Sequence, residues 1–232
     1  MLRAILFDLY ETLITESGSR PEGVSSLAPA LGCEGAAFRI KWKALRPAVT
    51  VGQLSFRQAL RDIATGLGSQ VDDGTLQRVY EERVRVKGDP FADIEHQVLM
   101  MLDHLRSRNL RLGVISNCFA EHVATWPASA LASRVDCTVF SFDVGLAKPD
   151  PRIYLEATRR LNVDVSDTWF VGDGGDGELT GAEQAGLRAF RAVWFLKRWP
   201  HFREEPRSGV SLASLDNLAT LVERALAPVD PA

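Results

Sequence analysis

Apolar positions along this chain follow two different periods, and the places where one gives way to the other divide it. At the start, Leu2, Ala4, Ile5, Leu6 and Phe7 run with Arg3 as the one interruption, which predicts a strand buried on both faces. The run stops at Asp8, and Asp8-Leu9-Tyr10-Glu11-Thr12 follows directly. After Thr15 the pattern changes: residues 16 to 35 are rich in Gly, Ser and Pro around one apolar stretch, Val24 to Leu31. Then Phe38, Trp42, Leu45 and Val49, next Phe56, Leu60, Ile63 and Leu67, and finally Leu76, Tyr80 and Val84 recur at helical spacing. Pro47 is expected to limit or kink the first of these helices, and Asp72-Asp73-Gly74 to start the third. Residues 16–88 therefore read as an all-helical segment, three or four short helices able to form a small bundle.

From Gly88-Asp89-Pro90 onward helix and strand alternate, the pattern of a parallel sheet. Ile94, Val98, Met101 and Leu105 stripe a helix, and Leu110 to Ile115 forms the next strand, ending at Ser116-Asn117. A helix near Glu121 to Leu131, interrupted or shifted by Pro127, precedes a strand from Val135 to Phe142. The loop Gly145-Leu146-Ala147-Lys148-Pro149-Asp150-Pro151 leads into a helix through Leu161, with Pro151 at its first position. Thr168 to Val171 is a fourth strand ending in Gly172-Asp173, Leu179, Ala182 and Gly186 fit a short helix, and Ala189 to Trp194 a fifth strand. Trp199 to Arg207 is loop-like, and Leu215, Leu218, Leu221, Val222 and Leu226 mark a last amphipathic helix. The expected fold is α/β: a parallel-sheet core from residues 1–15 and 89–232, with residues 16–88 inserted as a helical domain.

Composition narrows the function classes. The chain has 232 residues, 46% hydrophobic and 25% charged, which suffices for a sizeable core. Net charge is −3 with no basic block, which argues against nucleic acid as a partner. No apolar run approaches the roughly 20 residues of a membrane span, and the N-terminal run has no small-residue cleavage site behind it. Cys33, Cys118 and Cys137 are odd in number and unpatterned, pointing to a reducing, cytoplasmic setting. His96, His104, His122 and His201 make no zinc-ligand spacing with them.

Four successive strand ends carry polar residues: Asp8, Ser116 with Asn117, the loop bearing Lys148, and Asp173. At one edge of a parallel sheet they would converge on one pocket. A carboxylate nucleophile, a hydroxyl, a lysine and a second carboxylate able to hold Mg²⁺ suit displacement at a centre bearing negative oxygens, with phosphoryl the leading candidate.

On these residues the chain resembles the haloacid dehalogenase superfamily of hydrolases, over nearly its whole length. Asp8, Tyr10 and Thr12 match the first motif, D-x-[D/T/Y]-x-T; Ser116 the second; Lys148 the third; and Gly172-Asp173 with Asp176 and Glu178 the acidic fourth. The helical segment resembles the type-one cap of that family. The resemblance implies a Rossmann-like core, with Asp8 as nucleophile and usually Mg²⁺ as cofactor. It further implies that Asp8, the Tyr10 carbonyl, Asp173 and Glu178 hold the metal. Thr12, Ser116, Asn117 and Lys148 would bind a small-molecule substrate, a phosphate ester foremost.

Three departures qualify that picture. Tyr10 stands where family phosphatases carry a second Asp for proton transfer, help worth about 10²–10⁴-fold in rate. Haloacid dehalogenases, which displace halide without metal, do have Tyr there, so Tyr10 and Ser116-Asn117 favour that alternative. The acidic fourth motif favours the phosphatase; Glu178 fits its second acid, while Asp176 reads better as a helix cap. Glu11 is the third departure, either a solvated loop residue or the missing acid–base group. A non-catalytic binding protein that keeps the anion pocket is the remaining alternative. Trp42 and Phe38 read as helical core rather than a substrate cage.

Overall fold

The computed structural model describes residues 1–17, 23–199 and 210–227. Six strands make one parallel sheet: β1 (Ala4–Phe7), β2 (Arg111–Ser116), β3 (Cys137–Phe140), β4 (Thr168–Gly172), β5 (Arg188–Ala192) and β6 (Val210–Leu212). Their order is β3-β2-β1-β4-β5-β6, so β1 is central and the chain reverses direction of growth beside it, between β1 and β4. That reversal opens a crevice at the carboxyl ends of the two strands.

The uninterrupted apolar run of β1 has a direct cause in its alternation. Ile5 and Phe7 pack on one face with α4 (His96–Ser107) and α8 (Leu215–Leu226), through Val98, Leu102, Leu105, Leu218 and Val222. Ala4 and Leu6 face the other way, against α6 (Pro151–Leu161) and α7 (Glu178–Gln184), through Ile153, Tyr154, Ala157 and Ala182. A strand covered by helices on both faces has no polar side to show.

Between β1 and β2 lie α1 (Gly35–Thr50), α2 (Phe56–Gly66) and α3 (Asp73–Ala92). Their starts are capped by Glu34, Ser55 and Asp72, each accepting from backbone N–H groups of the first turn. Phe38, Trp42, Val49, Phe56, Leu60, Ile63 and Leu76 form a hydrophobic cluster separate from those of the sheet, with Phe119 inserted from the loop after β2. The expected role of Trp42 and Phe38 as helical core thus agrees with their packing.

Four expectations need correction. The third helix does not stop at Gly88-Asp89-Pro90 but continues to Ala92, because Phe91 packs edge-on against Trp126 in the sheet's core and holds the turn helical despite Pro90. Pro47 likewise sits inside α1, which runs on to Thr50. No α-helix forms from Glu121 to Leu131; two 3₁₀ turns, Ala120–His122 and Trp126–Ala128, take its place, the second with Pro127 at its middle position. The third strand ends at Phe140, and Ser141–Val144 turns into the one-turn helix α5, closed by Gly145 in the left-handed region. Most of the expected loop Trp199–Arg207 lies outside the described residues. No helix among the described residues is long and apolar enough to cross a membrane.

Candidate active site

The crevice at the end of β1 gathers the polar strand ends. Asp8 directly follows β1, and its N–H extends the ladder by donating to the Val171 carbonyl of β4 at 2.9 Å. Ser116 is the last residue of β2, Asp173 follows β4, and Lys148 lies in the turn between α5 and α6. Together with Tyr10, Asn117, Asp176 and Glu178 they line a pocket of about 160 Å³.

Lys148 is its hub. Its ammonium donates to Asp8 Oδ1 at 2.5 Å and also to Glu178 Oε2, and all three side chains are buried. The Asn117 side chain fixes this lysine by its backbone, donating to the Lys148 carbonyl and accepting from the Lys148 N–H, both at 2.8 Å. Asn117 is therefore first a positioning residue. Glu178 reaches inward from the first turn of α7 because Gly172 leaves room: a Cβ on Gly172 would collide with its Oε1. Gly174 N–H donates to that same oxygen at 2.9 Å, from a left-handed backbone (φ 94°) suited to glycine. A Cβ on Gly181 would strike the Pro149 carbonyl, so α7 closes directly onto the turn that carries Lys148. Tyr154 O–H, donating to the Glu178 carbonyl at 2.7 Å, anchors the helix start.

The electrostatics follow from burying Asp8 and Glu178 with one ammonium, with the half-buried Asp173 beside them. Desolvation would lower the Lys148 pKa, but the charges of Asp8 and Glu178 outweigh it and raise it well above the ordinary value. Burial raises Asp8, with Lys148 opposing and Asp173 adding to the rise. Burial and the Asp8 charge push Glu178 up to about 8. The lysine stays charged, and Asp8 and Glu178 hold a proton more tightly than ordinary carboxylates do. Ligand oxygens of Asp8, Asp173 and Glu178 lie within 4.8 Å of one another, an all-oxygen donor set suited to a small hard cation. Among the described residues no other group of three or more His, Cys, Asp or Glu side chains converges in this way.

The remaining candidates fall in less expected places. Thr12 is buried beneath the site, its hydroxyl 3.5 Å from Asp8 Oδ2, and is not among the residues that line the pocket. The Tyr10 hydroxyl points away from the strand ends and donates to the His122 carbonyl at 2.9 Å, with burial raising its pKa far above the ordinary phenol value. With that hydroxyl engaged on the loop after β2, Tyr10 still lines the pocket. Glu11, in the left-handed region (φ 57°), is held by Thr15 O–H, Glu16 N–H and the Trp199 indole N–H at 2.8–2.9 Å, which makes it a loop-closing residue. Asp176 does not cap α7: Gly177 occupies the cap position, and Asp176 is exposed at the pocket with the Asn117 amide 3.4 Å away.

Sequence reasoning placed Gly172 in the acidic motif without its role of making room for Glu178, and missed Gly181 and Tyr154. Nothing local marks the latter two, whose partners lie about 24 to 32 positions away in the chain.

Comparison with known proteins agrees with this geometry. A family model described as haloacid dehalogenase-like hydrolase matches residues 2–186. A glyceraldehyde 3-phosphate phosphatase of Methanopyrus kandleri is 31% identical over 122 residues, 51% of this chain and 48% of that protein; the chain thus spans about half the length of that relative. An (S)-2-haloacid dehalogenase of Pseudomonas putida is 30% identical over 188 residues, 73% of this chain and 75% of that protein. Among solved structures, a 2-haloacid dehalogenase from Pseudomonas syringae pv. Tomato DC3000 superimposes with a TM-score of 0.70 at 24% identity, over 97% of this chain and 100% of that one, a likeness of fold.

Proposed function

This chain belongs to the haloacid dehalogenase-like hydrolase family, and on that premise we propose that it is a Mg²⁺-dependent phosphatase acting on a small phosphate monoester. The observation that carries the reading is the convergence of Asp8, Asp173 and Glu178 around one point beside Lys148. Three carboxylates, Asp8 and Glu178 buried and Asp173 half-buried, face one ammonium, and a divalent cation complements them in charge and in donor type. Asp8, Asp173, Glu178 and the Tyr10 carbonyl would hold Mg²⁺, which when bound neutralises charge on the transferring phosphoryl oxygens.

The chain's own residues then divide the work. Asp8 attacks phosphorus with one carboxylate oxygen, forming an aspartyl phosphate as the bond to the leaving alkoxide breaks. Lys148 holds the other oxygen and faces the phosphoryl group with its positive charge, and the Ser116 hydroxyl at the pocket wall donates to a phosphoryl oxygen. Water hydrolyses the intermediate and restores Asp8. With Tyr10 and Glu11 both engaged elsewhere, Asp176 is the pocket carboxylate placed to give a proton to the leaving group and to take one from water. On this reading α1–α3, with α3 running on to Ala92, act as a helical cap inserted in the sheet core, in a reducing cytoplasmic setting consistent with three free cysteines.

A panel of small phosphate monoesters tests this: Mg²⁺-stimulated phosphate release from at least one is expected, and no release from any would overturn it. A second reading, displacement of halide from a 2-haloacid without metal, draws on Tyr10, whose engaged hydroxyl resembles a site whose leaving group needs no proton. Halide release that persists in EDTA would establish that reading instead.

A further inference from the structure

The strand-end pocket is one-sided in charge and in hydrogen-bonding groups. Five of the ten residues that line it are carboxylates, Asp8, Glu11, Asp173, Asp176 and Glu178, against the single cation Lys148. Among the described residues no arginine, histidine or aliphatic side chain lines it, and none from α1–α3 does. At about 160 Å³ it is also smaller than the roughly 300–1,000 Å³ of drug-sized ligand sites.

Its donors are already committed. The Lys148 ammonium is shared by Asp8 and Glu178. The Asn117 amide nitrogen donates to the Lys148 carbonyl at 2.8 Å and to Asp176 Oδ2 at 3.4 Å, and its carbonyl oxygen takes the Lys148 N–H. Gly174 N–H serves Glu178 and Gly175 N–H serves Asp173, both at 2.9 Å. What Lys148 and the Ser116 hydroxyl still offer goes to the phosphoryl group. Cations of α3 do not reach in: Lys87 pairs with Glu16, Arg83 Nη2 lies 3.4 Å from the His122 ring, and neither lines the pocket. A bound metal would offset Asp8, Asp173 and Glu178, and Glu11 has donors in Thr15, Glu16 and Trp199. Asp176, exposed at the pocket, is the carboxylate left to meet the rest of the ester.

Resting on the phosphatase reading, we propose that the substrate's leaving group is a small hydrophilic alcohol that carries hydrogen-bond donors and no negative charge, with Asp176 as the residue that selects it. A hydroxyl or ammonium brings the donors this pocket lacks, whereas a second carboxylate would meet like charge with no cation to receive it. A hydrocarbon leaving group would find no aliphatic wall to bury against.

Three two-carbon esters of nearly equal size test this: O-phosphoethanolamine, 2-hydroxyethyl phosphate and phosphoglycolate. With Mg²⁺, kcat/KM should be at least about tenfold higher for the first two than for phosphoglycolate, since like-charge juxtaposition carries a penalty of that order. Calorimetric affinities for Asp8→Asn with Mg²⁺, at about pH 8 where ordinary carboxylates are ionised, should follow the same order without turnover. Asp176→Asn keeps a residue type that accepts the left-handed backbone (φ 50°) at this position. Turnover falls for every ester in that variant, because Asp176 also serves proton transfer, so the ratio between esters is what reports selection; it should drop below about threefold. Equal efficiency for the three esters, a preference for phosphoglycolate, or discrimination that survives unchanged in Asp176→Asn would overturn the proposal and leave the phosphatase reading standing. The expected order of affinities without hydrolysis of any ester would uphold the selection and overturn the phosphatase reading. Neither binding nor hydrolysis of any of the three would overturn both.

Discussion

Glu178 and Glu121 are each 1% exposed, and burial raises both above the ordinary carboxylate range, to about 8 and about 7. Their surroundings could hardly differ more. Glu178 receives the Lys148 ammonium and the Gly174 N–H, with Gly172 cleared to admit it. Glu121 receives no hydrogen bond from another residue. One carboxylate sits in a hydrogen-bonded network; the other feels Arg83 and Lys87 only through space. Burial alone does not mark a functional acid: what the protein has built around the acid does.

The comparison can be broken most forcefully at Lys148. Lys148→Met leaves Asp8 and Glu178 buried without their shared cation and is expected to destabilise the fold by about 3–5 kcal/mol. Added Mg²⁺ should recover part of that loss. Denaturant titration with and without Mg²⁺ measures both, and an unchanged midpoint would mean that the lysine is not the hub. Gly172→Ala comes next: its Cβ would collide with the Glu178 carboxylate, at a cost of about 1–3 kcal/mol. Thermal unfolding and Mg²⁺ affinity should fall together in that variant.

Glu121→Gln sharpens the contrast with the opposite sign. The folded pKa of about 7 lies above the unfolded value near 4.5, so the folded state binds the extra proton, and Glu121 costs stability as pH rises through that window. The glutamine variant should be more stable than wild type by about 1–3 kcal/mol at pH 8, with the gain shrinking as pH falls toward 4.5. A gain that does not depend on pH would show that charge is not the cause. The smallest effect is expected at Tyr10→Phe. It removes one hydrogen bond to the His122 carbonyl, a loss of about 1 kcal/mol, with turnover changed by less than about threefold. A collapse in turnover would place the hydroxyl in the chemistry after all.

What the sequence disclosed follows from how local each signal is. The run Leu2–Phe7 and the polar residues that end four strands are contiguous features, and the sheet order turns them into one pocket. Helix starts at Asp72 and Pro151 are equally local. β6 escaped notice because Val210–Leu212 offers three residues and no periodicity to read. The state of each site residue escaped for a different reason. Glu11 is held by Trp199 and the Thr12 carbonyl by the Trp194 indole, pairings across more than 180 positions that no motif encodes. Thr12 was expected from a motif and Asn117 as a substrate contact; what no motif conveys is that they also contact Asp8 and Lys148. Glu121 looked like an ordinary residue of an expected helix; Pro127 and the packing of Phe119 into the helical cluster replaced that helix with tight turns, turning the carboxylate inward.

The central claim is that Asp8 attacks phosphorus with a metal held by Asp173 and Glu178. The most direct test measures product release by one preparation in two assays, small phosphate monoesters with Mg²⁺ and 2-haloacids with EDTA, for wild type and Asp8→Asn. The account predicts phosphate release that requires Mg²⁺ and falls by at least about 10⁴-fold in Asp8→Asn, with no halide from the second assay. Halide release in EDTA, lost in Asp8→Asn, with no phosphate from any ester, would contradict it.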